Sequence, residues 1–430
     1  MDNGKNIRIK TDVVIFIAMG VIAMNLVISN IGLYGGRTSP PLLVGAFVMM
    51  LLSIWLIRER RCISKIRIIK LMPLIIMGVI FFVYGLIFRV PSYILYAFVF
   101  VFQLPLFCLS TEHVILNKIL YAFTVSSVFI YGAAQVGAFL FSPLSDVQYY
   151  GIMGNPNLWG EYLTFALVSI LYLYEKVRKK ASKVFLLILF GISLAELFFS
   201  RSRTSMLAGI VVIVVYLIYA CLSRNDLKKK VASLIIAAVI CFPATYAVLS
   251  FVTPYIAESV GIEIEFKAES LTEQFAATSD RYLKGIATEG SISSGRVEIW
   301  RTYFSNLSMK GHDPDPLEVR RYSDVFVKMD AHNTFLQVAY QGGYPALLFF
   351  VVSIGMCAFD YFKKLFRKNI GLYECYALAT LCSAVVYMLL SSSFSPYTVF
   401  AMFGYWIFVI PGYVTDGSED LKRAGIRREK

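Results

Sequence analysis

Charge is scarce in this chain. Lys, Arg, Asp and Glu make up 16% of its 430 residues, against about 25% in an average soluble protein. So few charges cannot surface a soluble domain of this size, and a disordered chain needs the opposite balance of low hydropathy and many charges. Histidine is scarcer still, at three residues. The seven cysteines form no CxxC pair, and none lies in an expected external loop, which excludes a disulfide framework and a zinc site. There is no P-loop and no dinucleotide GxGxxG, so ATP-driven chemistry within the chain is not expected. No internal repeat supports an inverted-repeat transporter, and no low-complexity segment occurs.

What the chain has instead is apolar mass. Hydrophobic residues make up 58%, and the mean hydropathy is +0.66. They run in blocks near the ~20 residues that a helix needs to cross the hydrocarbon core. An outer-membrane barrel would alternate apolar and polar residues instead. The fold expected is therefore all-α, a polytopic membrane protein of about twelve transmembrane helices. The spans read 13–33, 40–57, 71–88, 94–110, 119–141, 156–174, 184–200, 205–222, 231–252, 335–359, 372–392 and 397–414. The first has no small-x-small cleavage site after it and reads as a retained helix. The organisation follows: 1–252 with nine spans, 253–334 as a large folded external loop, 335–414 with three more, and a tail at 415–430.

The net charge of +13 would suggest a nucleic-acid partner on a soluble protein. Here its distribution points elsewhere. With twelve spans, 28 of the 41 Lys and Arg fall on the side of the two termini, in short basic connectors such as Arg58–Lys70 and Lys176–Lys183. The short connectors of the other side hold only Arg37, Arg89, Arg201 and Arg203. Short-loop Lys/Arg bias sets orientation, so both termini are expected in the cytoplasm. No nucleic-acid partner is expected.

The loop 253–334 is too long for a plain connector. Helical character runs from Glu269 to Lys284. A second helix is expected to start at Ser293, Ser294 and Gly295, with Glu298 in its first turn. Val297, Trp300, Phe304 and Leu307 then form one apolar stripe. The loop contains Gly295-Arg296-Val297-Glu298-Ile299-Trp300, then Lys310-Gly311, then Ala331-His332-Asn333-Thr334-Phe335-Leu336-Gln337. Gly342-Gly343-Tyr344-Pro345 leads into the next span. Upstream stand Gly154-Asn155-Pro156-Asn157-Leu158-Trp159-Gly160 and Phe199-Ser200-Arg201-Ser202-Arg203-Thr204.

In this order and with this span count, the chain resembles the O-antigen polymerase and O-antigen ligase family of bacterial surface-polysaccharide assembly. The likeness covers roughly residues 150–360. After Gly311 the family usually continues with small Gly-rich residues, whereas this chain reads His312-Asp313-Pro314-Asp315. The resemblance implies a metal-independent membrane glycosyltransferase without a cofactor, working at the outer face of the bacterial cytoplasmic membrane. Its donor would be a glycan on undecaprenyl pyrophosphate, and its acceptor another sugar chain or, in a ligase, lipid A core.

Such chemistry needs a held pyrophosphate and an acceptor hydroxyl that loses its proton. Arginine suits the first, with a permanent charge and a planar fork matched to phosphate. Histidine suits the second, since it titrates near neutrality. Arg203 reads as the pyrophosphate clamp or, without the resemblance, equally as a snorkelling interfacial arginine. Arg296 reads as a second phosphate or sugar contact against a solvated charge on an amphipathic helix. His332 reads as the base acting on the acceptor against an inert surface histidine. The resemblance favours the first reading of each, making His332, Arg203 and Arg296 the expected catalytic set.

Substrate-binding candidates are Arg201, Asn333, Glu196, Asn157 and Trp300. Arg201 reads more readily as an interfacial charge. Asn333 could orient the imidazole or a sugar, or cap the following helix. Glu196 precedes Ser200 by four and Arg203 by seven, so all three are expected to share one helical face, where Glu196 either holds Arg203 or faces a wet cavity without a role. Asn157 is expected as an N-cap, with a glycan contact as the minority reading. Trp300 reads as a packing or interface residue that could also stack on a sugar. Asp313-Pro314-Asp315 matches the DxD spacing of nucleotide-sugar transferases, but the spacing is too short to be specific, and no metal is expected.

The function expected is polymerisation of lipid-linked repeat units into O-antigen, capsule or exopolysaccharide. The alternative is the ligase. A flippase for the same glycans is the more distant reading, disfavoured because few ionisable residues lie mid-span. The partners expected are the undecaprenyl-pyrophosphate-linked glycan and membrane lipid, together with the chain-length regulator and flippase proteins that such a role would bring.

Overall fold

The computed structural model describes residues 3–31, 39–60, 66–144, 148–223, 227–261, 270–287, 296–321, 325–368, 370–391, 394 and 397–415, with the backbone alone at 3–10, 39, 60, 281–287, 321 and 325. The described chain is a helical bundle. In order it has α1 (Asn3–Asn30), α2 (Ser39–Arg60), α3 (Met72–Ile87), α4 (Pro91–Ser110), α5 (His113–Phe141), α6 (Pro156–Lys176), α7 (Lys180–Phe199), α8 (Arg203–Leu222) and α9 (Leu227–Ser259). Two shorter helices follow, α10 (Leu271–Ala287) and α11 (Arg296–Ser305), then a hairpin of β1 (Leu317–Arg321) and β2 (Val325–Met329). The bundle closes with α12 (Thr334–Phe366), α13 (Leu372–Leu390) and α14 (Phe400–Val414).

Among the described residues, nine helices are long and apolar enough to cross a membrane. The expectation of twelve spans is not reached by that measure, for physical reasons visible in the three exceptions. The segments 71–88 and 397–414 form α3 and α14, which are apolar but short. The segment 156–174 forms α6, long enough at 21 residues, but with Glu161, Thr164 and Ser169 among its apolar residues. Every residue of α6 from Trp159 to Tyr174 is buried. A helix covered on all sides by protein is a core element, and its Glu161 and Thr164 are met by neighbours rather than by lipid. At the opposite extreme, α9 exposes Ile235, Ile236, Val239 and Ile240, the pattern of a helix facing hydrocarbon.

The helix starts are encoded locally. Pro156 stands at the first turn of α6, where its missing N–H costs nothing, and the Asn155 side chain caps it by accepting from Asn157 N at 2.8 Å. Ser202 caps α8 and accepts from Ser205 N. Asn333 caps α12 and accepts from Leu336 N at 3.0 Å. Ser270 and Glu273 form a reciprocal box at the start of α10. Each such cap is worth about 0.5–2 kcal/mol.

Two features of the 253–334 segment differ from the sequence reading. The β1–β2 hairpin pairs Val319 with Val327 in antiparallel register, and it was not anticipated. The stripe on α11 is also shifted. Ile299 and Tyr303 are the buried residues, Trp300 and Leu307 pack at their edge, and Val297 and Phe304 stay exposed. The reason is tertiary. Ile299 and Tyr303 meet Val319, Ala331, Leu336 and Tyr340 in a small core separate from that of the bundle. The proposed helix start at Ser293–Gly295 lies outside the described residues, as does Glu269.

The expected span 335–359 is interrupted. Gly343 has φ 70° and ψ 175°, which breaks α12 into a short first part and a long second part that begins near Pro345. Six cysteines are described, and all are free thiols.

Candidate functional site

The α7–α8 turn carries two of the candidate arginines. α7 ends at Phe199, and Ser200 N closes the last turn on Glu196 O at 2.8 Å. Arg201 then adopts φ 49°, a left-handed conformation uncommon outside glycine. Ser202 caps the next helix, and Arg203 is its first residue. Glu196 and Arg203 therefore sit on different helices, and the shared face inferred from their spacing does not exist. Among the described residues no ion pair joins them. The fully buried Glu196 carboxylate instead accepts from Gln135 Nε2 at 2.6 Å and from the Tyr149 hydroxyl at 3.4 Å.

Arg201 is 6% exposed, and its Nη2 donates to Gln274 Oε1 at 2.7 Å. Gln274 lies on α10, whose next residue, Phe275, packs on Phe198 with ring centroids 4.8 Å apart. Arg201 is thus the residue on which the amphipathic helix α10 is seated. The chain before α6 straps the same turn from the other side, with Tyr149 N on Phe199 O at 3.1 Å and Gln148 Nε2 on Ser200 O at 3.0 Å.

The Asn-Pro-Asn motif meets this turn directly. Asn155, not Asn157, is the N-cap of α6. Asn157 lies inside the first turn, where its Oδ1 accepts the Ser202 hydroxyl at 2.9 Å. The starts of α6 and α8 are therefore tied to each other.

His332 shares the unusual backbone of Arg201, with φ 46°. The segment around it is held at several points. Met329 O accepts the Tyr303 hydroxyl at 3.0 Å, and Ala331 N donates to Oε1 of the buried Gln337 at 3.1 Å. The Asn333 side chain both caps α12 and donates from Nδ2 to Leu389 O at 3.1 Å. Thr334 Oγ1 donates to Ser391 O at 2.8 Å. Non-glycine residues held at sparsely populated angles by such over-determined surroundings gather at functional sites. Partial burial raises the Asp330 carboxyl above its usual range, and the neighbouring His332 pulls it down.

Helix α13 connects the two halves. Near its end, the Tyr387 hydroxyl lies 3.0 Å from Thr164 Oγ1 of α6, which also reaches Ser205 O of α8 at 3.3 Å. One turn further on, Leu389 and Ser391 receive Asn333 and Thr334. The starts of α6, α8 and α12 therefore surround one end of α13. Arg296 joins them from α11. It is half-buried, and its guanidinium is held below the usual arginine range first by burial and then by the positive charge of Arg203. Trp300, one turn along α11, is committed to the small core of the 253–334 segment.

Two glycine motifs meet nearby. A Cβ on Gly343 would stand 2.5 Å from Met309 O, and one on Gly311 would stand 2.1 Å from Gln341 O. The Lys310-Gly311 loop thus lies against the break in α12. His312 stacks on Tyr340, with ring centroids 4.5 Å apart and planes 8° off parallel. Asp313 and Asp315 are exposed, and Asp313 Oδ1 accepts from Asp315 N at 3.1 Å, as a turn would have it.

Asn155, Gln274, Asp330 and Gln337 were not singled out from the sequence. Asn155 had a readable signal, since Asn before Pro is a helix start. Gln274 acts across a tertiary contact with Arg201, whereas Gln337 and Asp330 act locally on the segment around His332.

The O-antigen ligase family model matches residues 185–351. That stretch contains the α7–α8 turn, Arg296 and His332. No curated protein matches the chain.

Proposed function

We propose, from the premise that residues 185–351 belong to the O-antigen ligase family, that the chain transfers a glycan from a lipid-pyrophosphate carrier to a sugar hydroxyl. The growing product in this reading is a polymer of repeat units. The acceptor oxygen attacks the anomeric carbon and forms the new C–O bond. The old bond to the pyrophosphate breaks, and its electron pair leaves with the phosphate oxygen. Arg203 and Arg296 carry the charge of that leaving group, and the hydroxyl proton passes to the His332 imidazole. The chemistry runs at the outer face of the cytoplasmic membrane, with the termini inside.

One observation carries the reading. Arg203 and Arg296 come from distant parts of the chain, yet Arg296 lies within reach of the Arg203 charge. Two like charges in a half-buried place repel, and an anion between them reverses the sign of the interaction. A pyrophosphate matches two arginine forks better than any single carboxylate does. A ligase reading is favoured by the family description itself.

Deletion followed by complementation tests both readings, with the lipid-linked glycans analysed by chain length. Single repeat units on the carrier identify a polymerase, and long chains stranded on the carrier identify a ligase. Arg203→Ala and His332→Ala are expected to leave protein levels intact and abolish the product. Normal product in both variants rejects the assignment.

A further inference from the structure

A large apolar cavity of the described bundle lies away from this site. It measures about 1030 Å³ and opens between α5 and α7, over the last turn of α6. Its wall is apolar, with Phe129 and Phe139 on α5, Leu173 and Val177 at the end of α6, and Phe185 and Ile192 on α7. That volume is at the upper limit of the about 300–1,000 Å³ typical of small-molecule pockets, and Tyr121, Gln135 and Ser182 are the polar side chains in an otherwise apolar lining.

The connector at one end of the cavity is strongly basic. Val177, Ala181 and Ser182 line the cavity, and they alternate in sequence with Lys176, Arg178, Lys179, Lys180 and Lys183. Lys176, Arg178, Lys179 and Lys180 are exposed. The adjoining acid is already engaged, since Glu175 meets Lys230 at 2.7 Å and the Tyr216 hydroxyl at 2.6 Å. Across the mouth, Tyr121 lines the cavity on α5, and its neighbour Lys118 is paired with Asp12 at 2.6 Å. An apolar groove alone would take any acyl chain, and a basic connector alone would only orient the helices. Their continuity selects a molecule with both an acyl tail and an anionic head.

We propose that this groove is a binding site for an anionic diacyl phospholipid, with a tail between α5 and α7 and the phosphate on the basic residues of 176–183. Basic pockets between helices at a membrane surface bind anionic headgroups in this way. The site is independent of the glycan chemistry and stands or falls without it. α6 carries Asn157 at its far end and Val177 just beyond its near end, so lipid seated here would brace the helix at the centre of the bundle.

Native mass spectrometry of the purified full chain tests the proposal, by titration with phosphatidylglycerol or phosphatidylcholine. The protein is expected to retain phosphatidylglycerol over phosphatidylcholine by about fivefold or more. Combined Arg178→Ala, Lys179→Ala and Lys180→Ala should bring the two lipids level. Gly132 lines the groove, and a Cβ there meets nothing within 4 Å, so Gly132→Phe should fill the space and reduce both lipids. Lys228→Ala with Lys229→Ala removes charge elsewhere on the same face and should change nothing. The proposal is overturned by equal retention of the two lipids in the unaltered protein or by undiminished phosphatidylglycerol in the triple variant. An unaffected Gly132→Phe protein, or an equal loss in the Lys228/Lys229 control, overturns it as well. Variants are compared only where their gel-filtration profiles match that of the parent.

Discussion

The Ser202 hydroxyl donates to Oδ1 of Asn157 at 2.9 Å, so the cap of α8 is held by the first turn of α6. Arg203 is the next residue. Its placement therefore depends on a side chain far away in sequence. Asn157→Ala removes the acceptor at a cost of about 1 kcal/mol. The expected outcome is unchanged protein abundance with shortened glycan product, read by immunoblot and chain-length analysis on the same cells. Asn157→Asp keeps an acceptor oxygen and should recover most of the product.

Burial first, and the Arg203 charge second, disfavour the charged Arg296 guanidinium. Arg296→Ala should therefore leave the melting temperature of the purified protein unchanged or raise it, while product formation collapses. Arg296→Lys keeps the charge but loses the planar fork, and intermediate activity is expected. A melting temperature several degrees lower in Arg296→Ala would mean that the residue supports the fold rather than a ligand.

Gln337 holds the backbone just before His332 through Ala331 N. Gln337→Leu leaves that buried N–H without its acceptor, at about 1–3 kcal/mol, and lets the left-handed residue relax. Turnover should fall with little change in the apparent affinity for donor. Gln337→Glu retains the accepting oxygen and should restore turnover, which a simple packing role would not predict.

Gly343 and Gly151 both combine a positive φ with a crowded Cβ position. The first faces Met309 O at 2.5 Å, and the second faces the Trp159 ring at 2.3 Å. Alanine at either should destabilise by about 1–3 kcal/mol, seen as a lower unfolding temperature in detergent. Gly132→Ala, placed in open space inside α5, should instead stabilise by about 0.5–1 kcal/mol.

Class and outline were readable in one dimension. Sparse charge and apolar blocks demand a helical membrane protein whatever the neighbours do, because lipid requires each backbone group to be satisfied within its own segment. The helix starts were partly readable too, since Asn155-Pro156 and Asn333 act on donors two or three residues away. Arg203, Arg296 and His332 stood out through short motifs at the ends of spans.

The arrangement of those residues was beyond any linear reading. Helical spacing put Glu196 and Arg203 on one face, but a left-handed Arg201 ended the helix between them, and Glu196 turned to Gln135 and Tyr149. Spacing also assigned α11 the wrong buried face, because the face is chosen by the hairpin and α12, which fold against it. α6 was counted as a span by its apolar block, while its burial depends on the helices around it. Local signals act over a few residues, and so sequence could specify where helices begin. Which of those beginnings stand together is settled by packing between segments far apart in the chain, here around the end of α13.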